Sequence, residues 1–373
     1  TLKYIHAQQG GFPQYHVGDK VQFFTRDTLQ STDNEMQYTV AEVLSNPGEN
    51  GNDLRTMVVR FEERLPSNLT ERVSGEPRYV AENVTYAPKV TIRNSTFKNV
   101  PTRGILCTTR NEVIIENNVF LNMSMATIFL SNDSNQWYES GPIRNMTIRG
   151  NTFYIKNKSY PGWSSKPAIL IHPVVKSNSL PSKDQPVHKN ITIDGNTFYM
   201  ENDMVVKAEC VSGLTITNNK ILRRYPNVSL SLSAPQTNLA ANTTMQLNLN
   251  ATGSQQTDSA VPQNVYDLVN CTNVKIENNT YDDGMKRYAV ISGMSQSDVQ
   301  LNDEEVQFST TSSTSPSAAV TNVKYYTSDP EVAVVNKDGI VTAKKAGTVK
   351  VYAGYEWNGT LVRSNEVEIT VSG

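Results

Sequence analysis

Cysteine is scarce here: Cys107, Cys210 and Cys271 are the three in a chain of 373 residues. Their spacing makes no metal-ligand pattern. Each closes an apolar run (ILC, KAEC, DLVNC), so they read as buried free thiols. An excess of one charge is also lacking. Lys and Arg total 34 against 36 Asp and Glu, which leaves no basic surplus to hold nucleic acid. No apolar run reaches the roughly 18 residues that a membrane-spanning helix requires. No secretory leader is visible, and a secreted protein would have lost one. Helical faces built from Lys and Glu are few while Asn, Ser and Thr abound, which favours strands.

What is present is a repeat. VTIRNSTF (90–97), VIIENNVF (113–120), MTIRGNTF (146–153), ITIDGNTF (191–198), LTITNNKI (214–221) and VKIENNTY (274–281) share one pattern, with Ile at 92, 115, 148, 193, 216 and 276. The shortest spacing, 23 residues between Ile92 and Ile115 and between Ile193 and Ile216, is one solenoid turn. Longer gaps are the same turn with inserted loops. Alternating apolar residues face one way from a strand. The Asn that follows suits a tight bend and, stacked coil on coil, builds an amide ladder. Coils covering one another need no helices. The fold expected is therefore all-β, a right-handed parallel β-helix.

A second strand begins eight residues after the Phe of three coils: Phe97 leads to Ile105, Phe120 to Ile128 and Phe198 to Val206. The aligned rows are ILCTTR (105–110), IFLSND (128–133), ILIHPV (169–174), VKAECV (206–211) and YDLVNC (266–271). Cys107, Leu130, Ala208 and Leu268 share the inward column. Thr108, Ser131, His172 and Glu209 share one outward column, and Leu106, Phe129, Leu170, Lys207 and Asp267 the other. Arg110 and Asp133 end their rows. With coils about 4.8 Å apart, one face gathers Arg110, Asp133, His172, Lys207 and Glu209, a polar patch suited to a sugar chain.

Residues 15–80 lack the repeat. KVQFF, QYTVAEV and TMVVRFEE, separated by turns such as NPGENGND, predict a small inserted β-barrel. Residues 1–14 look like part of an earlier coil, so the β-helix is expected over 1–14 and 81–294, with further coils upstream. The Asn-X-Ser/Thr triplets at Asn68, Asn83, Asn145, Asn190 and Asn358 read as turn and ladder residues. SDPEVAVV, DGIVTA and KAGTVKVYA in the last stretch resemble the bacterial immunoglobulin-like group 2 module, which implies a C-terminal Ig-like β-sandwich over 295–373 and a bacterial protein that is secreted or held at the cell surface.

The segment NDSNQWYESG (132–141) interrupts the repeat after a strand and sets Asp133 and Glu139 around Trp137 and Tyr138. Sugar sites use aromatics to stack on C–H faces and carboxylates for hydroxyls and acid–base work. RGILCTTRNEVIIENNVF (103–120) with ATIFLSNDSNQWYESGPIRNMTIRGNTF (126–153) resembles glycoside hydrolase family 110. That resemblance implies an exo-acting α-1,3-galactosidase acting on host-type glycans, an inverting β-helix enzyme with an inserted barrel and no cofactor. Asp133 matches the acidic position of the family's loop, and Trp137, Tyr138 and Glu139 match its W-(Y/F)-E. Family members often carry Gly or Asp before that acid; this chain has Asn132. The catalytic carboxylates are expected among Asp133, Glu139 and Glu209. Arg110, Trp137, Tyr138, His172 and Lys207 are expected to bind an oligosaccharide or glycoconjugate. A homodimer and an upstream segment of the same protein complete the expected partners, with no nucleic acid and no membrane span. Two alternatives are another β-helix glycosidase, such as a lacto-N-biosidase, and a non-catalytic glycan-binding or adhesion protein.

Overall fold

A computed structural model of the chain describes residues 1–5, 13–155, 167–177, 179–200, 204–223, 228–253, 264–282, 287–311, 323–357 and 360–373. Among them the regular structure is all strand except for one short 3-10 turn, Gln296–Asp298.

Each repeated segment makes two strands joined by a bend, such as Val113–Glu116 and Val119–Leu121. A third strand, such as Ile128–Asp133, completes the coil. The three kinds of strand stack in parallel into sheets of seven, six and seven strands, the arrangement of a parallel β-helix. Ile92, Ile115, Ile148, Ile193, Ile216 and Ile276 are partnered one to the next in a single sheet, as the repeat requires. Those from Ile115 onward are buried, each stabilising the coil by about 1.5–3 kcal/mol. Phe97, Phe120, Phe153 and Phe198 stack at 4.9, 5.0 and 4.6 Å along the same core.

The two bend residues divide the work that the sequence suggested for one Asn. The first takes a positive φ: Asn94 52°, Asn117 54°, Gly150 62°, Gly195 62°, Asn218 59° and Asn278 58°. Asn and Gly tolerate that left-handed conformation. The second forms the buried ladder Asn118, Asn151, Asn196, Asn219, Asn279. Each side chain donates to the next coil's amide oxygen at 2.8–3.1 Å until Asp303 accepts from Asn279 at 2.8 Å. Asn190 donates to Asn145 at 3.1 Å in a shorter outer ladder. Asn68 and Asn83 instead bond within the N-terminal sheet, to Tyr79 and Asp19, and Asn358 lies outside the described residues.

The boundaries differ from expectation at both ends. Leu2–Ile5 pairs antiparallel with Thr56–Phe61. Those first residues therefore belong to the N-terminal sheet rather than to a coil; residues 6–12 of the expected coil lie outside the described residues. That sheet has five strands in the order Leu2–Ile5, Thr56–Phe61, Tyr38–Ser45, Lys20–Thr25, Tyr79–Asn83, all antiparallel, and none joins a coil sheet. It has its own core of Val21, Phe23, Tyr38, Val40, Met57, Val59 and Phe61. A smaller cluster, in which Phe24 and Leu29 meet Val175, Val187 and Cys210, seats it on the coils.

At the other end, Val299–Leu301 pairs with Thr272–Glu277, and Val306–Ser309 pairs with Arg287–Ser292. The last coil therefore runs past 295. The chain divides into one compact unit of residues 1–224 and 262–313 and another of 225–261 and 314–373. In the second unit Asn238–Ala240 pairs with Val367–Ser372, and Thr244–Gln246 with Ile340–Ala343. Leu230, Leu232, Leu239, Met245 and Leu247 share a core with Val341, Val349, Val351 and Ile369. The alternation in VSLSLS and NLA is thus strand pattern for the Ig-like unit, supplied from within the coil sequence.

Candidate active site

The site lies on the seven-stranded sheet that contains Ile105–Cys107, Ile128–Asp133, Ile169–Val174, Val206–Glu209 and Asn264–Val269. Strand alternation sends Ile128, Leu130, Ile169, Ile171, Val206, Ala208, Tyr266 and Leu268 into the core, where all are buried. Their neighbours face outward in register: Leu106, Phe129, Leu170, Lys207 and Asp267 in one column, with Ser131 beside His172 two residues on. The same alternation turns Asn132 inward, where it is fully buried. Residues 132 and 133 therefore face opposite sides of the sheet.

Four charged or titratable groups converge on that outer face. His172 Nδ1 and Glu209 Oε2 share a hydrogen bond. Lys207 Nζ lies 3.2 Å from Glu209 Oε1 and 3.5 Å from Asp267 Oδ2. Both carboxylates contact one ammonium, so their nearest oxygens lie within about 7 Å of each other. Glu209 is nearly buried, with 7% of its side chain exposed. Burial pushes its carboxyl up, but the bonds and charges of His172 and Lys207 outweigh this and leave it below the ordinary carboxylate value. Burial likewise pulls Lys207 down, yet Glu209 and Asp267 raise it overall. At neutral pH the carboxylate and the ammonium are both charged.

The aromatic loop starts where this face ends. Asp133 closes its strand, and its Oδ1 accepts the backbone N–H groups of Asn135 and Gln136 at 2.7 and 2.6 Å. Its own N–H donates to the Glu139 carbonyl at 3.0 Å. Both side-chain bonds fall on a single oxygen. Between these ties Trp137 stands 65% exposed. The Tyr138 hydroxyl accepts from Arg26 at 2.7 Å. Ser134 N–H donates to Val174 O at 3.0 Å; Val174 lies two residues beyond His172, roughly 7 Å along the strand.

Arg110 has other partners. Its guanidinium bonds Gln22 and Glu82, the latter at 3.1 Å, and lies 3.5 Å from Glu35. Gln22 and Glu82 lie on the N-terminal sheet, and Glu35 in the turn between two of its strands. Arg144 joins them, 2.9 Å from Glu35. The structure thus brings His172, Lys207 and Glu209 together, sets Asp133, Trp137, Tyr138 and Glu139 in the adjoining loop, and places Arg110 in the seam with the N-terminal sheet. Asp267 completes the cluster. The aligned columns already set it beside Lys207, and that was the available signal. Arg26 and Glu82 had none, because nothing in the repeat fixes how the N-terminal sheet docks.

His188 is fully buried, and its Nδ1 accepts the Ile143 N–H at 3.2 Å. Burial, with the positive charge of Arg144 and His172, pushes its pKa down to about 3. The three cysteines are buried and free. Burial pushes the Cys210 and Cys271 thiols up to about 12. Among the described residues no group of three or more His, Cys, Asp and Glu converges as a metal-ligand set.

The family described as bacterial Ig-like domain (group 2) matches residues 294–354. A protein named alpha-1,3-galactosidase A from Peterkaempfera griseoplana is 34% identical over all of this chain and 48% of its own length. Its namesake from Streptomyces avermitilis is 40% identical over 60% of this chain and 33% of its own length. An alpha-1,3-galactosidase B from Parabacteroides distasonis is 32% identical over 60% of this chain and 36% of its own. The chain spans half or less of the length of these relatives. The resemblance carried by residues 103–153 is thereby borne out: the chain is a homologue of the proteins named alpha-1,3-galactosidase and carries a bacterial Ig-like domain at its C-terminus.

Proposed function

We propose that the chain is an exo-acting glycoside hydrolase that releases terminal α-1,3-linked galactose from host-type glycans, outside a bacterial cell or at its surface. The observation that carries this is the ionised, nearly buried Glu209, held by His172 and Lys207 on an open parallel sheet beside an aromatic loop. The names of the relatives support the choice of sugar and linkage.

The proposed step is a single inverting displacement. Glu209, kept ionised by its contacts with His172 and Lys207, accepts a proton from the attacking water. The water oxygen bonds the anomeric carbon as the glycosidic C–O bond breaks. Asp133, on the same outward face and about two coils and two residues away, gives its proton to the departing oxygen. Their backbones stand about 12 Å apart by strand and coil spacing, so the step requires the two side chains to lean toward each other to reach the 6.5–9.5 Å of inverting pairs. Trp137 stacks on the sugar's C–H face. Lys207, His172 and Tyr138 supply hydrogen bonds to hydroxyls, and Glu139 fixes the loop on Asp133. No metal or organic cofactor enters the step.

Screening the full chain against a panel of defined oligosaccharides for released monosaccharide tests the proposal. Galactose freed from α-1,3-terminated members alone is the expected result. Release of a disaccharide would favour a biosidase, and binding without release a lectin-like role. Asp133→Asn should then cost about 10²–10⁴-fold in turnover. If that variant stays active while Asp267→Asn does not, the acid is Asp267.

A further inference from the structure

The loop Ser134–Gly141 does not hold its own shape. Tyr138 and Ser140 both sit at positive φ, 54° and 46°, where neither residue is at ease. Such conformations persist only when their surroundings over-determine them. The surroundings here come from the N-terminal sheet. Arg26 is 5% exposed; its Nε donates to Ser134 O at 3.4 Å and its Nη2 to the Tyr138 hydroxyl at 2.7 Å. Ser134 Oγ donates back to Arg26 O at 2.8 Å. At the far end of the loop, Glu82 Oε1 accepts from Ser140 Oγ at 2.9 Å and from Gly141 N–H at 2.8 Å. Its other oxygen is tied to Arg110 at 3.1 Å. Gly141 leaves no room for a side chain, since a Cβ there would lie 2.2 Å from Glu82 Oε2. Both ends of the loop are thus clamped by one neighbouring sheet, and Trp137 is the exposed aromatic between the clamps.

We propose that the N-terminal sheet is a specificity element of the site. Arg26 and Glu82 are positioning residues that hold Trp137 beside the Glu209 cluster as the stacking platform for the sugar. The last step rests on the hydrolase reading; the clamping of Trp137 does not. The same sheet also presses Phe24 and Leu29 against Val175 and Cys210, the latter next in sequence to Glu209. One sheet therefore borders both the platform and the strand that carries the carboxylate.

The test follows Trp137 in the full chain by ¹⁹F NMR with fluorotryptophan, the line assigned with Trp137→Phe, alongside steady-state kinetics on an α-1,3-galactoside. Glu82→Ala should shift or broaden the Trp137 line. It should raise KM about tenfold, the worth of one aromatic stacking contact, with kcat changed less than about threefold. Glu82→Gln keeps the oxygen that Ser140 and Gly141 use, so it should restore both the line and KM. Gly141→Ala, which pushes Glu82 aside, should reproduce Glu82→Ala, and it serves if that variant fails to fold. Glu42→Ala, which removes an exposed ion pair on the same sheet, should change neither. An unmoved Trp137 line in both Glu82→Ala and Gly141→Ala, or equal effects of Glu82→Ala and Glu82→Gln, overturns the proposal. A wild type that hydrolyses nothing overturns the hydrolase reading alone, and the Trp137 line still decides the clamp.

Discussion

Acidification should destabilise the coil stack through His188. In the folded chain this imidazole is buried and titrates at about 3 against an ordinary 6.5. Between those values the unfolded chain binds a proton that the folded chain refuses. The lowered folded pKa therefore makes stability fall as pH drops below 6.5, by up to about 1.36 kcal/mol per unit. At pH 5 the loss from this one group is about 2 kcal/mol, a large part of a domain's net stability. The perturbation that isolates it is His188→Asn, whose Oδ1 can still accept the Ile143 N–H that Nδ1 accepts now. Urea denaturation of wild type and variant at pH 7.5 and pH 5.0 gives the four stabilities needed. The variant should be less stable at pH 7.5, having lost ring packing, yet lose about 2 kcal/mol less than wild type on acidification. Equal losses in the two proteins would show that His188 is not the buried neutral group described here.

The other predictions concern the ladder, the domain boundary and the carboxylate. Asn196 donates to Ile148 O and Asn219 Oδ1 and accepts the Asn151 N–H. Asn196→Ala leaves buried polar groups unpaired, and each costs about 1–3 kcal/mol in a denaturation measurement. Ending the chain at Met294 removes Val299–Leu301 and Val306–Ser309 from the coil sheets and should lower the coil unit's melting temperature. Excising 225–261 together with 314–373 should leave that temperature nearly unchanged in calorimetry. Glu209 lies below its ordinary 4.5, so the acidic limb of kcat/KM should fall below pH 4.5. Lys207→Met, by removing one of the cations responsible, should move that limb upward.

Much of the fold was legible because a solenoid repeats its own evidence. Period-two alternation fixed which face of each strand is buried, and the recurring Ile and Phe fixed register across coils. His172 and Glu209 were assigned to one outward column from spacing alone, and the structure joins them by a hydrogen bond. What escaped was non-local pairing outside the repeat. Leu2–Ile5 finds its partner at Thr56–Phe61, and Asn238–Ala240 finds its partner more than a hundred residues later. Alternation marks both as strands without naming a neighbour. The partners of Arg110 escaped for the same reason: Glu82 and Gln22 come from a sheet, and Glu35 from a turn of that sheet, whose docking no periodicity encodes.

In the proposed step Glu209 activates water to release galactose with inversion. The most direct measurement is time-resolved ¹H NMR of an oligosaccharide ending in α-1,3-linked galactose, incubated with the full chain and with Glu209→Gln. β-Galactose should appear first and mutarotate afterwards, and Glu209→Gln should lose at least the roughly 10²-fold expected of a general base. Galactose appearing first as the α anomer, or a Glu209→Gln variant keeping more than about a tenth of the rate, would contradict it.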